Sequence, residues 1–186
     1  MSVPNTSGRF ELRLAGSGGQ GILLAGLVLA EAAAIYDGKN AVQTQSYGPE
    51  SRGGASRSEI VISDAEIDYP KVTHPDFVLL MTPEAASAYG TDVKPEGLVL
   101  VDSPNVSCPD CPAQVAAIPI TRLAVEATGR RLTANIVAVG AIAALTKVAT
   151  IEAVEKAVLA RVPRGTEELN LRALHAGIEA ARTAAA

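Results

Sequence analysis

The sequence predicts an α/β fold: an open, mostly parallel, Rossmann-like sheet flanked by helices, with a helical C-terminal third. Three observations carry that prediction. Apolar alternation through Phe10, Leu12 and Leu14 leads into the turn Gly16-Ser17-Gly18-Gly19-Gln20-Gly21 and then a long apolar run over 22–34, the strand, turn, helix order of an anion-binding loop. Short apolar runs at 77–81 and 98–101 read as strands buried on both faces of a parallel sheet. From residue 120 onward the patterning is helical.

Taken in order, the first strand precedes Gly16 and a helix begins near Gly21. A short strand follows at 41–45, and 56–63 alternates toward Ile60 and Ile62 as another, with a glycine-rich loop between them. The strand at 77–81 comes after the turn His74-Pro75-Asp76, and the next helix has its start signal in Thr82-Pro83-Glu84. Thr82 suits the N-cap, Pro83 the first helical position, and Glu84 the positive end of the helix dipole. Pro95-Glu96-Gly97 turns the chain into the strand at 98–101, which ends in Asp102; 103–112 reads as an exposed loop and 115–118 as a last strand. Helices are expected at 120–128, 134–147, 151–161 and 167–183. Neither turn separates regions with independent cores, so 1–186 is expected to be a single domain.

Bulk properties narrow the function classes. A chain of 186 residues can bury a core without disulfides, and Ala-rich composition with no Trp points to a core of small aliphatic side chains. Sixteen basic against twenty acidic residues give a net charge of −4, which offers no footprint for nucleic acid or an anionic membrane. The apolar stretches at 22–34 and 134–145 are too short to cross a bilayer and no secretory leader is present, so a cytoplasmic location is expected.

Two glycine-rich segments are the candidate sites. In the first, glycine permits positive φ and removes the Cβ that would block a phosphate, while the following helix offers unpaired N–H groups. A nicotinamide or flavin dinucleotide is disfavoured, because the second strand ends near Gln43-Thr44-Gln45 without an acidic ribose ligand and Asp37 lies before it. Another anion, a coenzyme, or a ligand-free tight turn remain open. The second segment, Tyr47-Gly48-Pro49-Glu50-Ser51-Arg52-Gly53-Gly54, sets a carboxylate and a planar cation on flexible backbone, with Arg57 nearby. Arg52 could fork onto a phosphate or carboxylate, or pair with Glu50 or Glu59 as an ordinary surface ion pair.

The other chemistry-bearing residues read as structural. Cys108-Pro109-Asp110-Cys111 has redox or metal spacing, but two thiols in a proline-rich loop cannot supply an iron–sulfur cluster, so an incidental loop pair is the reading. His74 is a turn residue, His175 sits in the last helix, and Ser51 and Ser56 lack a nucleophile elbow. No catalytic residue and no metal ligand is assigned to this chain.

The first loop, followed by Gln45 through Gly54 and then Ser56-Arg57-Ser58-Glu59, closely resembles the gamma subunit of 2-oxoacid:ferredoxin oxidoreductases. The resemblance continues through Ile67-Asp68-Tyr69-Pro70-Lys71, Asp102, 135–140 and 170–177, and 58–70 is most like the 2-oxoglutarate branch. It implies a complex that oxidatively decarboxylates a 2-oxoacid, transfers the acyl group to coenzyme A and passes electrons to ferredoxin. Pyruvate, 2-ketoisovalerate and indolepyruvate enzymes share much of the pattern, and a free-standing nucleotide-binding protein is the alternative outside the family. The resemblance places thiamine diphosphate, magnesium and iron–sulfur clusters in partner alpha, beta and ferredoxin-like delta chains, since this chain lacks a Gly-Asp-Gly thiamine motif. It further implies that Gly18, Gly19, Gln20 and Gly21, with Arg52, contact coenzyme A, and that Tyr47, Glu50 and Arg52 face a neighbouring subunit.

Overall fold

The computed structural model describes residues 8–47 and 55–185. Six strands form one sheet: β1 (Arg9–Ser17), β2 (Asn40–Tyr47), β3 (Ala55–Ser63), β4 (Phe77–Leu80), β5 (Leu98–Asp102) and β6 (Gln114–Ile118), in the spatial order β2-β3-β1-β4-β5-β6. β1, β4, β5 and β6 run parallel, whereas β3 is antiparallel to both β1 and β2. Five strands therefore share one direction, and the expected mostly parallel sheet is what forms.

One detail departs from a Rossmann order. The strand after the first helix does not pair with β1; β3 lies between them, with Arg13 opposite Glu59 and Glu59 opposite Thr44. Only seven residues separate β2 from β3, too few for a crossover, so the two strands must be antiparallel neighbours. The end of β2 is therefore not the position at which a Rossmann second strand carries its acidic ribose ligand. Gln43 instead spends its amide on the Leu23 carbonyl at 2.9 Å and on Ser58 Oγ at 2.8 Å.

The helices are α1 (Ile22–Glu31), α2 (Pro83–Tyr89), α3 (Ile120–Thr128), α4 (Ala134–Thr146), α5 (Ile151–Arg161) and α6 (Glu167–Ala185). The apolar run past residue 31 leaves α-helical geometry for a wider π-helical stretch, Ala32–Tyr36, ended by Gly38 at φ +70°. Asp37 then accepts hydrogen bonds from the Thr150 backbone N–H at 2.6 Å and its hydroxyl at 2.8 Å, which ties that corner to the start of α5. At α2 the Thr82 hydroxyl accepts from the Ala85 N–H at 3.2 Å, the cap that the sequence announces.

Period-2 alternation sorts the sheet into two unequal faces. Phe10, Leu12, Leu14, Ile60, Ile62, Phe77, Leu79, Leu98 and Leu100 face a thick layer built by α1 and the late helices, with α4 buried at its centre. Among the described residues, the opposite side chains, including Ala15, Val78, Leu80, Val99 and Val101, are covered by α2 and by loops carrying Val93 and Val106. Burial of each large aliphatic or Phe side chain is worth roughly 1.5–3 kcal/mol, so the helical side carries most of the fold's stabilisation.

Candidate functional site

Parallel strands end at one edge, and the chain's glycine loop sits there. β1, β4, β5 and β6 finish at Ser17, Leu80, Asp102 and Ile118. Because β3 runs the other way, its first residues meet the same edge, with Ser17 opposite Ala55 and Tyr47 opposite Ser56. Both strand ends that flank 48–54 thus lie beside the first loop. Glu50 and Arg52 fall outside the described residues, as does the side chain of Tyr47.

Within the loop the four residues have different jobs. Gln20 closes it: its N–H donates to the Ser17 carbonyl at 3.3 Å, its Oε1 accepts from the Ser17 N–H at 2.8 Å, and its Nε2 donates to the Met81 carbonyl at 3.3 Å. Gly21 takes φ +73° as the N-cap of α1, and a Cβ there would come within 2.5 Å of Asn135 Nδ2, so it is required by packing. Gly18 and Gly19 are exposed; Gly19 holds φ +87°, and space for a Cβ there is open. Hence Gly19 gives access rather than fit. Among the described residues no side chain caps the start of α1 and no acid lies in its first turn, so the positive end of its dipole is not offset by a neighbouring carboxylate there.

The loop borders a cavity of about 130 Å³ lined by Gly19, Gln20, Thr121, Arg131, Leu132 and Ala134. Arg131 is exposed and has no ion pair among the described residues. Sequence reasoning missed it, and the only available signal was a pair of arginines in the Gly129-to-Ala134 turn, whose nearness to Gly19 depends on tertiary packing. Neighbouring Asp102 is buried, accepting from the Thr121 N–H at 2.9 Å, from its hydroxyl, and from Asn105 Nδ2 at 3.0 Å. Its carboxylate caps α3 and shapes the edge.

On the thin face, Arg13 and Arg57 both lie 5.4 Å from the centre of the Tyr89 ring. Arg13 donates to Glu59 at 2.8 Å and also to Asp92. Burial works against the Arg13 charge, but those two carboxylates outweigh it and hold its pKa above the ordinary arginine value. Arg57, near the start of β3, has its Nε buried without a hydrogen bond, 3.7 Å from Glu59 Oε1. The cluster braces the strand that leads out of 48–54.

The remaining candidates stay apart from this edge. His74 contributes a backbone N–H to Glu11 Oε2 at 3.2 Å, and His175 meets Glu155 at 2.7 Å on an exposed helix surface. Cys108 is exposed, while Cys111 is half-buried against the Val-rich cluster; both are free thiols. Among the described residues no helix is long and apolar enough to cross a membrane.

A family model for pyruvate ferredoxin/flavodoxin oxidoreductase matches residues 11–180. The chain is 51% identical over 177 residues to the 2-oxoglutarate synthase subunit KorC of Methanocaldococcus jannaschii, covering 94% of this chain and 95% of that protein. The KorC subunit of Methanothermobacter thermautotrophicus is 48% identical over 178 residues, covering 92% and 94%. Among solved structures, the keto/oxoacid ferredoxin oxidoreductase gamma subunit of Geobacter sulfurreducens matches with a TM-score of 0.85 at 50% identity, covering 94% of this chain and 99% of that one. Family match, sequence identity and overall structural likeness agree along nearly the whole chain, which belongs to the pyruvate ferredoxin/flavodoxin oxidoreductase family.

Proposed function

We propose that this chain, acting as one domain over 1–186, is the gamma subunit of a cytoplasmic 2-oxoglutarate:ferredoxin oxidoreductase that forms succinyl-CoA. The observation that carries the reading is 51% identity, along nearly the whole of both chains, to a subunit named for 2-oxoglutarate synthase. Alpha, beta and ferredoxin-like delta chains complete the complex, and ferredoxin accepts its electrons. Thiamine diphosphate with magnesium supplies the carbanion chemistry, and iron–sulfur clusters carry the electrons, in those partners. Two cysteines fall short of the four ligands of an ordinary iron–sulfur cluster, which suits cluster binding by the partner chains.

This chain's part is to hold coenzyme A at the glycine-loop edge. Exposed Gly18 and open backbone at Gly19 let a diphosphate approach the leading N–H groups of α1, and Gln20 keeps the loop in the required shape. Arg131 reaches the same cavity as a cation, and Arg52 enters from the segment anchored by β2 and β3. Tyr47 and Glu50, with Arg52, face the adjoining subunit. Positioning is the contribution, since a held thiol reacts as if intramolecular.

The test is to purify the tagged chain anaerobically from its native cells and follow coenzyme A-dependent dye reduction with 2-oxoglutarate, pyruvate, 2-ketoisovalerate and indolepyruvate. Partner subunits and highest kcat/KM with 2-oxoglutarate are expected; preference for another oxoacid rejects the substrate assignment. Gly19→Val should raise the coenzyme A KM by about 10-fold or more, and Arg52→Ala by about 10- to 100-fold, the worth of a charge-assisted hydrogen bond. The KM for 2-oxoglutarate should stay within about 2-fold, because neither change touches the oxoacid. An unchanged coenzyme A KM in an intact complex would make the first loop a turn and nothing more.

A further inference from the structure

α4 is apolar except for Asn135 and Thr146, and both of those side chains are buried. Thr146 is satisfied inside the helix, where its hydroxyl donates to the Ile142 carbonyl at 2.7 Å. Asn135 reaches outside it: its Nδ2 donates at 3.4 Å to the carbonyl of Gly21, the residue that ends the glycine loop at the N-cap of α1. Burying an amide is unfavourable and asparagine is a weak helix former, so this position asks for a reason beyond α4 itself.

The reason lies in the peptide plane that Asn135 touches. The Gly21 carbonyl also accepts the Ala25 N–H at 3.0 Å, the first hydrogen bond of α1. Two donors thus fix the direction of that carbonyl, and in a trans peptide the Ile22 N–H must point the opposite way, out of the helix start. Gln20 sets the other end of the loop through Ser17 and Met81. One amide therefore fixes where the chain leaves β1 and another where it enters α1, while Gly18 and Gly19 between these points stay exposed. Asn135 also packs on the Gly21 α-carbon, where an added Cβ would lie 2.5 Å from its Nδ2 and 2.9 Å from its Cγ. Its neighbour Ala134 lines the loop cavity itself.

From this arrangement we propose that Asn135 is a positioning residue for coenzyme A, holding the Gly21–Ile22 peptide so that the first N–H of α1 is presented to the diphosphate. It acts through Gly21 and not by touching the ligand. A carbonyl opposite it requires a donor, so asparagine serves there and an aspartate of the same shape does not. Because α4 is buried along nearly its whole length, the loop takes its position from the core of the molecule and not from its surface. The inference rests on the reading of the glycine-loop edge as the coenzyme A site.

The experiment assembles the complex with each full-length variant and measures its thermal midpoint, with kcat and KM for coenzyme A and for 2-oxoglutarate. Asn135→Asp should raise the coenzyme A KM by about 10-fold, since a hydrogen bond is lost and two oxygens are set against each other. The saturated kcat and the 2-oxoglutarate KM should stay within about 2-fold of wild type. Asn135→Ala should raise the coenzyme A KM by about 5-fold, and it carries the same comparison if the aspartate variant does not assemble. Gly21→Ala should lower the thermal midpoint, and adding Asn135→Ala to it should recover part of that loss, because the side chain that the new Cβ would strike is gone. The coenzyme A KM of that double variant should remain raised; recovery of both midpoint and KM would reduce Asn135 to packing and overturn the proposal. An unchanged coenzyme A KM in the Asn135 variants, beside a raised one in Gly19→Val, also overturns it and leaves the coenzyme A site standing. Unchanged values in the Asn135 variants and in Gly19→Val overturn the coenzyme A site, and the positioning role with it.

Discussion

Gly177→Ala should lower the stability of the chain by about 3 kcal/mol or more, the upper range for forcing a methyl into a filled core. An added Cβ would run into the carbonyl oxygen of Val137, coming within 2.8 Å of its carbon and 3.0 Å of the Ala141 nitrogen. Gly140 faces the crossing from the other helix, where a Cβ would meet the Leu174 carbonyl. These obstacles are backbone, so no rotamer change relieves them, and α4 and α6 must separate instead. Separation would loosen Val137, Leu174 and Ile178, all buried in the main core. Helix propensity pulls the other way, since alanine gains about 1 kcal/mol over glycine in a helix interior. At this chain length each kcal/mol moves the thermal midpoint by roughly 2–4 °C, so a drop of about 6–12 °C is expected. A melt or urea titration that shows no loss would contradict the close helix crossing.

This contact also shows where the sequence speaks and where it stops. A glycine in the middle of a good helix pattern is a local disadvantage, so Gly140 and Gly177 ask for a tertiary reason. Only the pairing of α4 with α6 supplies it. The late helices themselves are legible because their periodicity is local: 120–128 and 151–161 coincide with α3 and α5. The seating of β3 against β1 is not, because that pairing joins residues far apart in sequence, such as Arg9 and Ser63. At the site, the glycine loop is visible as a motif, and Thr82 as a cap. Arg131 is invisible, since it reaches Gly19 only after α3 and α4 have folded over the sheet edge. The amide of Gln20 closes the loop on Ser17 and Met81, a role that its letters, a glutamine flanked by glycines, do not separate from a ligand contact.

Arg13→Met should cost about 3 kcal/mol, the lower range for removing one partner of a buried ion pair. The Arg13 side chain is only 6% exposed and Glu59 12%, while Asp92, at 48%, can return to water. Without Arg13, Glu59 keeps only Arg57, whose nearest nitrogen is 3.7 Å away and makes no hydrogen bond to it. Methionine fills the volume, so the loss measures charge left without a partner rather than a cavity. The pair Arg13→Met with Glu59→Leu should recover most of the stability, since neither desolvated charge remains. Because Arg13 titrates above the ordinary arginine value, its stabilisation is complete below that value and is lost only as pH rises through the raised one. The wild-type advantage over the double variant should therefore be flat in Arg13's own titration from about pH 6 to 9, well below the arginine range. A double variant no more stable than Arg13→Met would mean that the stacking of Arg13 on Tyr89, and not its pairing with Glu59, holds β1 to β3. The assembly consequence would differ too: Tyr89 also stacks on Arg57, so losing that platform would reach the strand that leaves 48–54 toward the glycine-loop edge.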